Sequence, residues 1–222
     1  MLAALDASAI VVPGADVRVV RRCGSTNTEL MREDVLARPV LLAAETQTAG
    51  RGRRGRRWHA VPGRSIAFSI ARRIVRPARE LTALPRLAGV AAAQALRGLG
   101  ARAIGLKWPN DLVVGRAKLG GILVETRGGA DASLAVIGIG LNYLPDPGLS
   151  RRLRRPVAAL AEILSPLPDR NAVIAAIAAQ VLRAVERFER EGRTADYGAP
   201  LRPRSGLRPL RPARALATRV TA

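Results

Sequence analysis

The sequence predicts an α/β domain of the α+β type, and three observations carry that reading. Hydrophobic residues make up 48% of the 222-residue chain while aromatics reach only 3%, so one sizeable core built from aliphatic side chains is expected. Short apolar runs that suit strands recur along the chain, interleaved with stretches of helical apolar spacing. Between two of the strand-like runs lies ETQTAGRGRRGRRW, residues 45–58, which sets Arg51, Arg53, Arg54, Arg56 and Arg57 among Gly50, Gly52 and Gly55. No core absorbs that many guanidinium groups. Glycine at this density permits close backbone approach, so the stretch reads as a flexible cationic loop that orders around something anionic.

The elements follow in order. Residues 17–22 alternate and form a first strand. Thr26 and Glu29 have capping-box spacing, so a helix is expected over residues 27–36. Ser25, Thr26 and Asn27 then sit at a strand-to-helix turn. Spacing alone favours plain capping for them over contact with a polar ligand. A strand over residues 40–46 runs into the arginine loop at Gln47, and another covers residues 65–72. Pro85 opens an Ala-rich helix to Leu99, whose apolar stripe is for packing. A short strand, residues 104–108, leads into Pro109, Asn110 and Asp111. Residues 112–114 and 118–126 flank Gly115-Arg116, a good hairpin turn. Gly120 and Gly121 inside the second of these strands imply close approach by a ligand or by backbone. Residues 134–142 form a buried strand; its Gly138-x-Gly140 is weak evidence for a nucleotide, since no helix follows. A short helix is expected over 157–164, and Asp169 caps a long one over 170–190 that Gly192 ends.

Composition narrows the function classes. The single cysteine, Cys23, excludes an intramolecular disulfide, and His59 is the sole histidine, so cysteine–histidine zinc chemistry is not expected. No apolar run approaches the length of a membrane span, and the N-terminus lacks a basic leader, so a cytoplasmic setting is expected. The net charge of +20 invites a nucleic-acid reading. Compositional bias combined with an anionic small-molecule ligand accounts for it better, because much of the excess lies in residues 151–155 and after Pro200, outside any obvious binding fold. Only two basic residues are lysine, Lys107 and Lys118. An ammonium retained in so arginine-rich a chain marks a place where a guanidinium does not substitute, which favours a functional Lys118.

Taken together, GSTN at 24–27, ETQTAGRGRRGRRW at 45–58, KWPND at 107–111, KLGGILVE at 118–125 and VIGIGLN at 136–142 resemble the biotin protein ligases, in that family's order and with family-like gaps, over residues 17–190. The resemblance implies a central mixed β-sheet with helices mainly on one face, related to the class II aminoacyl-tRNA synthetase and lipoate ligase cores. It also implies the reaction: biotin and ATP, with Mg2+, give biotinyl-5′-AMP and pyrophosphate, and the biotinyl group passes to a lysine of a biotin carboxyl carrier domain of acetyl-CoA carboxylase or a related carboxylase. Carried over position by position, Ser25, Thr26, Asn27, Gln47, Gly50, Arg51, Gly52, Arg53 and Lys118 match biotin-binding positions. The resemblance likewise implies Arg51, Arg53, Arg56, Trp58, Asn110, Lys118 and Asn142 as the candidate ATP contacts. Lys118 and Arg53 stand where charge develops as a carboxylate meets the α-phosphate. Asp111 is the candidate acceptor of the carrier lysine's proton, with a plain turn role as the alternative. Trp58 is read equally as an adenine platform or as core.

The sequence departs from the family in two ways. Residues 1–16 leave no room for the helix-turn-helix of the repressor members, so no specific DNA binding is expected. After a catalytic domain over 17–197, residues 198–222 read as a Pro/Arg-rich disordered tail where a small β-barrel is usual. A homodimer is left open. The rival readings are a lipoate or octanoate ligase or transferase of the same fold, and a nucleic-acid-binding protein.

Overall fold

The computed structural model describes residues 3–33, 36–77, 79–128 and 132–192. The tail expected over 198–222 lies outside the described residues. Seven strands form one mixed sheet: β1 (Asp16–Cys23), β2 (Val40–Gln47), β3 (Ser65–Ile74), β4 (Ile104–Lys107), β5 (Asp111–Val114), β6 (Ala117–Gly128) and β7 (Ser133–Asn142). The spatial order is β1-β2-β3-β7-β6-β5-β4. Only β1 and β2 run parallel; every other neighbouring pair is antiparallel.

Alternation divides the sheet into two unlike faces. On β7, Ile137, Ile139 and Leu141 enter the main core with Ile66, Phe68 and Ile70 of β3 and Ile122 of β6. That face is covered by α2 (Leu84–Gly98) and α4 (Arg170–Glu191), which also pack on each other. Pro85 sits in the first turn of α2, where a missing N–H is harmless. Asp169 caps α4 by accepting from the Asn171 and Ala172 backbone N–H groups, and Gly192 ends it at φ +71. The opposite face carries Gly138, Gly140 and Asn142 on β7, aligned with Ser69, Ala67 and Ser65 on β3. Small residues there leave a floor rather than a packed layer. One helix, α1 (Thr26–Leu30), sits on this second face, where Leu30 packs with Val40, Leu42, Ala71 and Val136.

Several expectations are corrected. The helix expected over 27–36 is the five-residue α1; beyond it Arg32 and Glu33 close only i→i+3 bonds, and Glu33 pairs with Arg18 of β1. The capping box is not made: Ser25 is the N-cap without a side-chain bond, the Thr26 hydroxyl turns to Ser69 and Gln47, and Glu29 pairs with Arg32. The helix expected over 157–164 is replaced by an extended segment and a single 3-10 turn, Leu160–Glu162. Lys118 donates its N–H to the Pro156 carbonyl and accepts from the Ala158 N–H, which holds residues 156–158 out against β6. A short helix not foreseen, α3 (Leu149–Leu153), follows β7. The hairpin at Gly115-Arg116 is as expected, with Gly115 at φ +58.

Candidate active site

The floor of Gly138 and Gly140 lies at the bottom of a cleft of about 750 Å³. Each glycine admits a particular side chain: a Cβ at Gly138 would lie 2.1 Å from Asn27 Oδ1, and one at Gly140 would lie 2.4 Å from the Trp58 ring. The Gly-x-Gly therefore answers to two protein side chains at opposite parts of the cleft. Gly120 and Gly121 divide similarly. A Cβ on Gly120 would strike the Gly140 carbonyl at 2.4 Å, whereas one on Gly121 would crowd the Lys118 ammonium at 3.2 Å.

One end of the cleft is polar and closed. Ser25, Thr26 and Asn27, at the start of α1, are each 3% exposed. The Thr26 N–H donates to Gln47 Oε1 at 2.8 Å. Ser69, fully buried on β3, donates to Asn27 Oδ1 at 2.6 Å and lies 2.7 Å from the Thr26 hydroxyl. Asn27 Nδ2 in turn donates to the Leu123 carbonyl at 3.3 Å and to Glu125 Oε2 at 2.9 Å.

The arginine loop closes over the cleft as a small hairpin. Arg51 bridges Arg57, the Gly52 N–H donates to the Arg56 carbonyl at 2.7 Å, and the Trp58 N–H donates to the Gly50 carbonyl at 2.9 Å. Its tip is the 3-10 turn Arg53–Gly55, with Arg54 at φ +56 and Gly55 at φ +70. Gly50 is required at the root, since a Cβ would lie 2.8 Å from the Trp58 carbonyl oxygen. The guanidinium groups of Arg53, Arg54, Arg56 and Arg57 are exposed, and Arg53 donates to Asn110 Oδ1 at 3.3 Å. Arg51 is tied down by Glu125 and by Thr28.

The third wall comes from the turn after β4, with its cis Trp108–Pro109 bond, and from the β5–β6 hairpin. Asn110 donates to the Ile122 carbonyl at 2.8 Å, which fixes the turn on β6. Lys118 Nζ donates to Asp111 Oδ1 at 2.6 Å, and Arg155 Nη1 stands 3.5 Å from the other Asp111 oxygen. Burial pulls the Lys118 ammonium below the ordinary lysine range; Asp111 works the other way, and Arg155 and Arg56 add to the lowering. Asn142 is buried, and its amide donates to the carbonyls of Lys118 and Ala158, so it braces the wall.

The cleft thus gathers Ser25, Thr26, Asn27, Gln47, Arg51, Gly52, Arg53, Arg56, Trp58, Asn110, Asp111, Lys118 and Asn142; Gly50 lies just behind it. Six arginines (51, 53, 54, 56, 57 and 155) and two lysines line it against one carboxylate, Asp111, a balance suited to an anionic ligand. Trp58 is half-buried over Gly140, so it belongs to the cleft rather than to the core; its indole N–H finds no acceptor among the described residues. Arg155 corrects the expectation that residues 151–155 lie away from any site, because α3 and the bend after it bring this arginine to Asp111. Ser69 and Glu125 were also missed. A lone serine in the apolar run IAFSIA, and the acid closing KLGGILVE, were the available signals. Among the described residues no group of three or more His, Cys, Asp or Glu side chains could hold a metal, and both nearby carboxylates are already engaged, Asp111 by Lys118 and Glu125 by Arg51 and Asn27.

Residues 19–142 match the family model described as the biotin/lipoate A/B protein ligase family. The bifunctional ligase/repressor BirA of Escherichia coli is 37% identical over 186 residues, which cover 81% of this chain and 56% of that protein. The biotin–[acetyl-CoA-carboxylase] ligase of Mycobacterium tuberculosis is 35% identical over 175 residues, covering 76% of this chain and 62% of that protein. The biotin protein ligase of Aquifex aeolicus, solved with biotin and ATP, superposes with a TM-score of 0.65 at 26% identity, covering 79% of this chain and 72% of that one. The chain therefore spans little more than half the length of the first of these relatives. With the match running from β1 through the end of β7, the chain belongs to the biotin/lipoate A/B protein ligase family.

Proposed function

We propose that the chain is an ATP-dependent biotin–protein ligase. Biotin lies with its ureido ring at the polar end, against Ser25, Thr26, Asn27 and Gln47, and its carboxylate reaches Lys118. A carboxylate oxygen attacks the α-phosphorus of ATP, the bond to the β-phosphate oxygen breaks, and pyrophosphate leaves. Lys118, Arg53 and Arg56 offset the negative charge that two approaching anions concentrate. The nucleotide uses Trp58, Asn110 and the wall braced by Asn142, while the hairpin of residues 50–58 keeps water from the mixed anhydride. In the second step the amine of the acceptor lysine attacks the acyl carbon, AMP leaves with the bonding electrons, and Asp111 takes the amine's proton. The acceptor is a biotin carboxyl carrier domain of acetyl-CoA carboxylase or a related carboxylase, in a cytoplasmic setting and without a specific DNA partner. Mg2+ comes with the triphosphate, because the cleft offers no free carboxylate set to hold it. No helix among the described residues is long and apolar enough to cross a membrane.

The observation that supports this reading most is the position of Lys118, an ammonium only 16% exposed, between a closed polar end and a hairpin of exposed arginines. The polar end also argues against lipoate or octanoate as the acid. An apolar dithiolane or alkyl chain would offer nothing to the Ser25 hydroxyl and the Gln47 amide nitrogen, whose residues line the cleft, at a cost of about 1–3 kcal/mol per group left without a partner. The test is biotin-dependent pyrophosphate release from ATP, with lipoate as competitor. Arg53→Ala and Lys118→Ala are each expected to lower the rate at least about 100-fold, as for loss of one transition-state donor. Release that is unchanged in both variants, or that lipoate supports as well as biotin, would overturn the proposal.

A further inference from the structure

The arginines of the hairpin have different surroundings. Arg53 and Arg56 point into the cleft without a carboxylate, whereas Arg51 is held on two sides, by Glu125 of β6 through Nη2 and by Thr28 of α1 through Nη1 at 3.3 Å. Glu125 divides its oxygens. Oε1 takes Arg51, and Oε2 takes Asn27 Nδ2 at 2.9 Å. Asn27 is the last member of a buried chain of donors. With the Ser69 proton on Asn27 Oδ1, Thr26 donates the 2.7 Å contact to Ser69 and shares that one proton with Gln47 Oε1 at 3.2 Å. The order is then Thr26 to Ser69 to Asn27 to Glu125, and Arg51 meets that carboxylate from outside. A chain of this kind polarises along its length, and a change at one end is felt at the other.

We propose that Glu125 is a positioning residue that joins the hairpin to the polar end of the cleft: it holds Arg51, and through Arg51 the root of the loop, in register with Asn27. This rests on the biotin-ligase reading for what the polar end binds, and it gives Arg51 a task distinct from that of Arg53 and Arg56. Through this link a displacement of Asn27 is passed to Glu125 and from it to Arg51. Alternation along β6 puts Glu125 on the same face as Leu123 and Gly121, so its reach to both partners follows from the strand register.

The test is limited trypsin digestion of the unliganded and biotin-bound protein, counting by mass spectrometry only cuts after Arg53, Arg54, Arg56 and Arg57. Glu125→Gln keeps an acceptor for Asn27 but loses the charge that holds Arg51. Without ligand it should be cut about three- to fivefold faster than the parent, the upper part of the range for an ion pair half open to solvent. Biotin should protect it less than it protects the parent. In turnover, KM for biotin should rise by a similar factor while kcat for pyrophosphate release falls less, which a general loss of stability would not produce. Arg51→Gln approaches the same contact from an exposed residue whose replacement does not threaten folding. The double variant should be cut no faster than either single one. Equal cutting of parent, Glu125→Gln and Arg51→Gln overturns the proposal, and so do additive effects in the double variant. The unliganded digestion decides the matter even if the parent fails to bind biotin, an outcome that would sink the functional reading instead.

Discussion

Gly138→Ala tests whether the cleft has two separable ends. A Cβ at this position lies 2.1 Å from Asn27 Oδ1 and 2.9 Å from Cγ. Asn27 is 3% exposed, accepts from Ser69 and donates to Leu123 and Glu125, so it has no room to retreat without breaking those bonds. The side chain leaves and exchanges the clash for lost hydrogen bonds, which together amount to about 2–3 kcal/mol. For a chain of this size that lowers the thermal midpoint by roughly 4–12 °C. If biotin lies against Asn27 as proposed, it loses a hydrogen-bonding partner and a fixed neighbour, and its dissociation constant should rise about 10- to 100-fold. Gly140→Ala is the matched control two residues along the same face. There the Cβ meets the Trp58 ring at 2.4 Å, and Trp58, half-buried at the end of the loop hairpin, has to shift instead of Asn27. The expected result is near-parental biotin affinity and a raised KM for ATP. Calorimetric titration with biotin, scanning fluorimetry and pyrophosphate release measure these quantities. If Gly138→Ala binds biotin as tightly as the parent, or if both variants weaken both ligands equally, the division of the cleft is wrong.

Further outcomes follow from two charge pairs, Lys118 with Asp111 and Arg170 with Glu45. Asp111→Asn is expected to slow transfer from preformed adenylate to a carrier domain about 100-fold, the lower range for loss of a general base, with a smaller effect on adenylation; equal losses in both steps would restrict Asp111 to holding Lys118. The second concerns Arg170, which is 4% exposed and grips both oxygens of Glu45 while also donating to the Ala3 carbonyl. Arg170→Met leaves that carboxylate uncompensated and should cost about 3 kcal/mol, read as a lower thermal midpoint. Burial tends to raise the Glu45 pKa, but Arg170 and the Leu5 N–H outweigh it and leave the group below its ordinary 4.5. A carboxylate held low stabilises the fold above the unfolded value and loses that contribution as pH falls through the folded one. The midpoint of the parent should therefore drop below pH 4.5, and Glu45→Gln should flatten that acid limb; a parent and variant with parallel acid limbs would remove the pair from the account.

What was legible in the sequence, and what was not, follows from the range of the interactions involved. The strands showed themselves because alternation is local, and all seven appear within a few residues of their expected bounds. The cationic hairpin and Lys118 were visible for a compositional reason: arginine at such density has nowhere else to go, and lysine is rare in this chain. The failures are non-local. Residues 156–158 stay extended because Lys118, some forty positions earlier, takes up their backbone groups. Thr26 leaves its capping geometry because Ser69 stands across the sheet. Arg155 reaches Asp111 only after α3 has turned the chain back. A reading confined to neighbours along the chain assigned Arg155 to the bulk positive charge and Glu125 to an ordinary strand. The sheet register gives both of them partners.

The register also explains why this arginine-rich chain keeps an ammonium at position 118. Its Nζ lies where a Cβ on Gly121 would come within 3.2 Å, beside an Asp111 oxygen at 2.6 Å and with Arg155 on the far side of the same carboxylate. A guanidinium is wide, planar and satisfied by two parallel acceptors. In that corner it would take both Asp111 oxygens, displace Arg155 and face away from the cleft. An ammonium donates to one oxygen and has two more protons to offer elsewhere. Burial has already lowered its pKa, so an arriving anion that restores partners to the charged form is favoured over bulk water. Where a fork is wanted, as at Arg170 on both oxygens of Glu45, arginine is used and is buried. Where no carboxylate pairs with it, as at Arg53 and Arg56, arginine is exposed, which suits the phosphate contacts proposed for them. The choice of cation thus tracks the geometry each position demands, and at Lys118 that geometry leaves donors free toward the cleft.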